Sequence, residues 1–578
     1  MQRIIRGLIA VTGALAAAAA VMAFTRQDTP ESLRAEAYEA AQWAIASDAA
    51  DALAKVSARF AEGDDALGQL AEERETLIAR RDSLEKALEQ LYSVDGEDGR
   101  ARRAETRSQY QATLDRLKAV DADIETRFPA YAELTSPRAL SVAETQALLG
   151  PDEALLLVLV NPEATYVWGV SHDRVEWARA ADLGDAAMTE AVGKLRSSLT
   201  TAASRGGEPT PTMDPTIFAG RPQAAFDRAT AHRLYTSLVK PVEGVFEGKS
   251  TVITVVTGAL TTLPLAVLVT EPPAGSDTAP GAMEATSWLI DRYALATLPS
   301  VSSLKALRCH LVIASERHAG CPPRTGGGAP RIGYPAGRPA DLVAFGAPVL
   351  TGPEESGSRG APAADSILGE GRLADVAKLK ALPSLPGSRA ELQALKTRYP
   401  DALVRIGAEA TETAVRGPDA AALSTARFVV FSTHGLMAGS TAAEPGLVLT
   451  PPDQATEADD GYLSASEAAQ MRLSAEFVVL SACNTAASDG SPGGEGLSGL
   501  ARAFFYAGAR SVLVSHWEVS DTATTELITR TFAELDSHAD DPAARARALQ
   551  TGMKTVRANR RWAHPAYWAA FTLVGEPG

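Results

Sequence analysis

Two short segments end in side chains that can do covalent chemistry: Phe428-Val-Val-Phe-Ser-Thr-His-Gly435 and Phe477-Val-Val-Leu-Ser-Ala-Cys-Asn-Thr485. A thiol attacks as its thiolate, and a free cysteine with a pKa of ~8.5 offers little of that form at neutral pH. An imidazole beside it can take the proton and later return it to a leaving amine. His434 and Cys483 are therefore a candidate base and nucleophile for acyl transfer. Read singly, each has a plainer meaning. A lone cysteine is most often a small core residue, and a lone histidine a buried one with its hydrogen bonds made.

The elements that must position the pair are legible in the same segments. Each is a short run of Val, Phe and Leu, the make-up of a strand buried on both faces of a parallel sheet. Ligands of such sheets bind beyond the carboxyl ends of the strands, where both residues fall. Further strands are expected at Val252–Val256, Leu342–Phe345, Leu403–Ile406 and Ser511–Ser515, with Phe428–Ser432 and Phe477–Ser481 as the two site strands. Helices alternate with them, which predicts a sheet covered on both faces. Thr411 and Asp541-Pro542 are expected to start helices and Gly508 to end one. Upstream, 154–160, 165–170 and 174–178 read as a small antiparallel meander with turns at Asn161-Pro162 and His172-Asp173. Residues 200–222, 319–341 and 350–372 are Gly- and Pro-rich loops.

From Leu33 to Phe128 the sequence reads as helix, broken by a turn at Asp95-Gly-Glu-Asp-Gly99. Leu70, Leu77, Leu84 and Leu91 repeat every seven residues, while Arg74 and Arg81 interrupt the alternate positions. The second helix places Tyr110, Leu114, Leu117, Ile124 and Phe128 on one face. Such a hairpin could pack on the rest of the chain, or serve as a stalk for a partner or for self-association.

The two site segments resemble the caspase-like cysteine peptidases, in which His-Gly follows one strand and Ala-Cys the next. Longer stretches narrow the resemblance to the CHAT domain, a bacterial relative of caspases and separase. These are Asp460-Gly-Tyr-Leu-Ser-Ala-Ser-Glu467, Ser481-Ala-Cys-Asn-Thr485, Gly494-Glu-Gly-Leu-Ser-Gly-Leu-Ala-Arg-Ala-Phe-Phe-Tyr-Ala-Gly-Ala-Arg510 and Ser515-His-Trp-Glu-Val-Ser-Asp521, with Leu298-Pro-Ser-Val-Ser-Ser-Leu304 and Leu382-Pro-Ser-Leu-Pro-Gly387 upstream. The likeness runs from about residue 140 to the C-terminus. It implies a cysteine endopeptidase of α/β class, a caspase-like, mostly parallel sheet with helices on both faces, acting on a partner protein. It implies His434 and Cys483 as the catalytic dyad, with the backbone N–H groups of Gly435 and Cys483 as the oxyanion hole. Trp517, Glu518 and Asp521 become substrate-binding candidates, since relatives carry an acidic residue near this block that faces the side chain before the cut. A basic residue, Arg before Lys, would be the match. Asp521 could instead cap a helix starting near Thr522, and His516 reads as pocket wall. Many relatives carry a long tetratricopeptide array, whereas only about 130 residues precede the domain here. The other reading is a scaffold whose site is vestigial.

The net charge of −16 excludes a broad nucleic-acid surface and favours basic substrates. Arg3 and Arg6 precede an uncharged run from Gly7 to Phe24, and Val21-Met-Ala23 offers small residues for a signal peptidase. The expectation is export to the periplasmic side, as a cleaved signal or an anchor, with a cytoplasmic chain as the alternative. Of the three cysteines, Cys309 and Cys321 could form a disulfide in an oxidising compartment, leaving Cys483 as the odd thiol. His310 and His318 share that segment, but the spacing fits no usual zinc pattern. Gly493-Gly-Glu-Gly496 lacks the Gly-Lys-Ser/Thr of a nucleotide loop, and no cofactor or metal is expected. The expected division is a signal or anchor over 1–28, a helical hairpin over 29–135, an N-terminal subdomain over 136–250 and the peptidase core over 251–578.

Overall fold

Among the described residues, fourteen strands and the helices between them follow from runs of β-branched and aromatic residues punctuated by turn chemistry. The computed structural model describes residues 30–43, 45, 97–127, 139–205, 225–310, 340–352, 373–436, 444–482, 485–486, 499–538, 541 and 543–578, together with 73, 77, 80, 81 and 84. In chain order the elements that matter are α1 (Pro30–Trp43), α2 (Glu97–Arg127), β1 (Glu153–Val160), β2 (Thr165–Ser171), β3 (Val175–Ala180), α3 (Asp185–Arg205), β4 (Thr251–Val256), β5 (Ala294–Thr297) and α4 (Val301–His310). They continue with β6 (Leu342–Gly346), α5 (Pro386–Arg398), β7 (Leu403–Ile406), β8 (Phe428–Ser432), β9 (Gly435–Leu436), β10 (Gly446–Val448), β11 (Tyr462–Ser464) and β12 (Phe477–Ser481). Last come α6 (Gly499–Ala507), β13 (Ser511–Ser515), α7 (Asp521–Leu535), α8 (Ala544–Ala558) and β14 (Phe571–Gly575).

Eleven strands form one sheet in the order β3-β2-β1-β4-β5-β14-β13-β12-β8-β6-β7, and β11-β10-β9 form a small second sheet. β1, β4, β5 and β14 are parallel to one another. β13, β12, β8, β6 and β7 are parallel as well. The two groups meet antiparallel where Ser511–Ser515 pairs with Gly575–Phe571. The expected meander is present, but it is not a separate layer: β1 pairs in parallel with β4 and makes the meander one end of the main sheet. β5, β14 and the small sheet were not foreseen.

Side-chain alternation divides the core into two faces. Phe428 and Val430 of β8, Phe477 and Val479 of β12, and Leu156 and Val158 of β1 join one cluster, together with α3, α5, α7 and α8. Val429 and Phe431, Val478 and Leu480, and Leu155 and Leu157 join the other, with α1, α4 and α6. Both clusters are buried, so these strands are apolar on both faces, with polar residues only at Glu153 and at the strand ends Ser432 and Ser481.

Of the helix expected from Leu33, α1 covers Pro30–Trp43 and Glu73, Leu77, Arg80, Arg81 and Leu84 are also helical; the rest of the stretch up to α2 is, Ile45 apart, outside the described residues. α1 docks on the main body: the Tyr38 hydroxyl donates to Thr145 Oγ1 at 3.1 Å, its ring meets Trp168 edge-on, and Gln42 exchanges two hydrogen bonds with the Leu140 backbone. α2 begins inside the expected Asp95–Gly99 turn. Its Arg116 makes a bidentate pair with Glu73 at 2.6 and 2.8 Å, roughly symmetric about that turn. Thr411 caps its helix, accepting from Ala414 N, and Gly508 follows α6 at φ 116°. α8 starts at Ala544 rather than directly after Asp541; the Asp541 carboxylate accepts from Ala543 N. Among the described residues no helix is long and apolar enough to cross a membrane. The Gly7–Phe24 run lies outside the described residues.

Candidate active site

β8 and β12 are adjacent and parallel, and Ser432 pairs with Ser481 in register. His434 and Cys483 each follow these partners by two residues. Cys483 and Asn484 lie outside the described residues, but the chain on both sides of them is held by one residue at the end of β13. The Ser515 hydroxyl donates to Ala482 O at 2.5 Å, Ser515 N donates to Thr485 Oγ1 at 2.8 Å, and Ser515 O accepts from Ala486 N at 2.8 Å.

The His434 side chain is fully buried, and its Nε2 lies 2.8 Å from Pro383 O. A carbonyl oxygen only accepts, so this nitrogen carries the hydrogen. Thr433 steadies the preceding residue: its N donates to Ser481 O at 3.2 Å and its hydroxyl to Val448 O at 2.5 Å. Val448 N in turn donates to His434 O at 3.0 Å. Antiparallel ladders alternate hydrogen-bonded and non-bonded pairs, so the next pair, Gly435 opposite Leu447, is a non-bonded one. The Gly435 N–H accordingly points away from β10.

The Leu382–Gly387 segment reaches three parts of this end of the sheet. Pro383 holds the imidazole. Gly387, in the first turn of α5, donates its N–H to the Asp521 carboxylate. One residue on, the Ser388 hydroxyl donates to Ser432 O and lies 2.6 Å from the Ser432 hydroxyl. Ser432 O also accepts from Ala347 N, and a Cβ on Gly346 would stand 2.0 Å from that oxygen, so only glycine fits there.

Asp521 is the first residue of α7 and not its cap; Ser520 is, its hydroxyl accepting from Ala523 N. The Asp521 carboxylate is buried against the N-terminus of α5, where the helix dipole favours a negative charge. Trp517 is buried in the core on the α7 and α8 side of the sheet, and its indole N–H donates to Ala566 O at 2.9 Å. Glu518 beside it is partly exposed. His516 turns toward β14, with Nε2 3.0 Å from Thr572 Oγ1. Burial, with the Arg196 guanidinium nearby, pushes its imidazole down to about 3. His516 is thus a neutral structural residue and not a second base. Among the described residues no group of three His, Cys, Asp or Glu side chains is arranged to hold a metal. Cys309 is disulfide-bonded, and Cys321 lies outside the described residues.

A family model for the CHAT domain matches residues 228–576, more than half of the chain. The chain belongs to this family. Its curated relatives include tetratricopeptide repeat protein 28 of Mus musculus, 35% identical over 114 residues, and of Homo sapiens, 25% identical over 374 residues. The matches span 20% and 63% of this chain but only 4% and 14% of those proteins. Among solved structures it is similar to the Saccharomyces cerevisiae separase in its complex with securin (11% identity, TM-score 0.38, covering 87% of this chain and 37% of that one). It is also similar to the RgpB pro- and mature domains of Porphyromonas gingivalis (12% identity, TM-score 0.32, covering 67% and 77%). The CHAT match begins after β1–β3, although these strands belong to the same sheet.

Several residues that shape this CHAT site escaped the sequence reading. Pro383 acts through a carbonyl, which no side-chain pattern reveals. Ser388 and Glu391 sit on a helix face that only packing identifies. Ser515 reads in the sequence as a strand end opening a family block, and its three bonds to the segment around Cys483 appear only in the fold.

Proposed function

We propose that this CHAT protein is a cysteine-type endopeptidase in which His434 serves Cys483. The observation that supports the reading best is the 2.8 Å contact of His434 Nε2 with Pro383 O at the end of β8. It fixes the proton on Nε2 and leaves Nδ1 as the nitrogen that exchanges a proton with the thiol. In the proposed cycle Nδ1 takes the Cys483 proton as sulfur attacks the scissile carbonyl. The oxyanion is held by the N–H groups of Gly435 and Cys483. The imidazolium protonates the departing amine, and water then releases the acyl group from sulfur by the same path reversed.

The substrate would be a protein cut after a basic residue, with Asp521 or Glu518 pairing to the guanidinium or ammonium. The bond from Gly387 N supports Asp521 in that role, since it holds the carboxylate beside the Leu382–Gly387 segment. We further place the protein on the exported side of a membrane, through the Arg3/Arg6 and Gly7–Phe24 segment. The Cys309 disulfide suits an oxidising compartment. A C-terminal alkaline phosphatase fusion should be active; an inactive one beside an active cytoplasmic reporter would return the chain to the cytoplasm.

Incubating the protein with a peptide library and mapping the cuts by mass spectrometry tests the activity. Cuts after Arg and Lys that disappear in Cys483→Ala support the reading. Absence of any Cys483-dependent cut, with Cys483 also refusing an electrophilic peptide, would leave a scaffold.

A further inference from the structure

Beneath the strand ends that lead to His434 and Cys483 lies a buried polar cluster with one carboxylate. Ser388, Glu391, Ser432 and Ser481 are all fully buried. The Ser481 hydroxyl donates to Glu391 Oε2 at 3.0 Å, and Ser388 binds Ser432, the residue paired with Ser481 across the sheet. Both contacts come from consecutive turns of α5, whose first turn also meets Asp521. A buried carboxylate is costly unless its interactions are specific. This one is bound by Ser481, which precedes Cys483 by two residues.

We propose that Glu391 is a positioning residue of the dyad, holding the end of β12 through Ser481. The proposal rests on the reading of His434 and Cys483 as a working pair. Among the described residues, the charged or titratable groups around this end of α5 include Asp521 from α7, His434 beyond β8, and Arg389 on α5 itself, whose guanidinium approaches Gly407. Farther along the helix Arg398 is paired with Asp536, and Arg405 of β7 with Asp419.

The test is the rate of iodoacetamide alkylation at Cys483, followed by peptide mapping from pH 4 to 10, with thermal midpoints for every variant. Glu391→Gln keeps the volume and an acceptor for Ser481, so it should keep the wild-type plateau rate. Ser481→Ala and Glu391→Asp weaken the tie and should lower the plateau several-fold at thermal midpoints near wild type. Wild-type plateaus in both tie-weakening variants overturn the proposal, and so does a folded Glu391→Gln that loses the plateau as they do. If wild-type Cys483 is never alkylated, the peptidase reading fails instead, which separates the two.

Discussion

At the residue scale, the proposed chemistry needs two side chains but rests on backbone. His434 is oriented by a carbonyl, Gly435 is turned outward by ladder alternation, and the segment around Cys483 is gripped from Ser515. Because base and nucleophile act as a unit, Cys483→Ala and His434→Ala should each abolish peptide cleavage, with the double variant no worse than either. A Cys483→Ala protein turning over at the wild-type rate would end the mechanism. For specificity, Asp521→Asn and Glu518→Gln are to be compared on matched substrates bearing Arg, Lys, Gln or Asp before the cut. The carboxylate in the pocket should reveal itself by a loss of ten-fold or more in kcat/KM for Arg alone, the scale of about 1.5–3 kcal/mol for a charged hydrogen bond. An unchanged Arg preference in both would exclude them. Gly387→Ala gives an independent check, since its Cβ would stand 2.4 Å from Asp521 Oδ2. Overpacking there should destabilise by about 1–3 kcal/mol and, if Asp521 reads the substrate, lower Arg cleavage further than Gln cleavage.

At the element scale, the site depends on the way α5 and β13 clamp two neighbouring strand ends. The other side of β13 carries a different device, the His516–Thr572 contact that crosses the antiparallel junction with β14. The folded imidazole is depressed to about 3 by burial, below the ordinary ~6.5 of the unfolded chain. As pH falls, the unfolded state therefore takes up the proton first. Stability is fully present above ~6.5 and is lost toward pH 3, at up to ~1.4 kcal/mol per pH unit. Melting curves at pH 7 and pH 4.5 should show a smaller drop for His516→Gln than for wild type. Equal drops would mean that other groups govern acid unfolding.

At the scale of the whole molecule, two parallel groups of strands of opposite direction share one sheet, and a buried ion triad ties its distant parts. Arg308 of α4 reaches Glu153 at the start of β1 at 2.7 Å and Glu576 just after β14 at 3.0 Å, all three nearly inaccessible. The two carboxylates hold the guanidinium well above its usual range despite its burial. Arg308→Met would strand two buried carboxylates and should cost about 3–5 kcal/mol, measurable by denaturant unfolding; a loss below 1 kcal/mol would show that they find other partners. The sequence by itself determined the α/β class and the strands Phe428–Ser432, Phe477–Ser481 and Ser511–Ser515, because a strand buried on both faces of a parallel sheet needs an apolar interior. It also determined the two residues that could do covalent chemistry, since thiol and imidazole have no substitutes there. The membership of β1–β3 in the main sheet, the antiparallel seam at β14, and the docking of α1 were decided only by tertiary structure. Strand order and direction depend on which edges meet, and no local periodicity encodes that. For the same reason Pro383, Ser388, Glu391 and Ser515 came to light only in three dimensions: each acts across the sheet on residues far away in the chain, through contacts that packing creates.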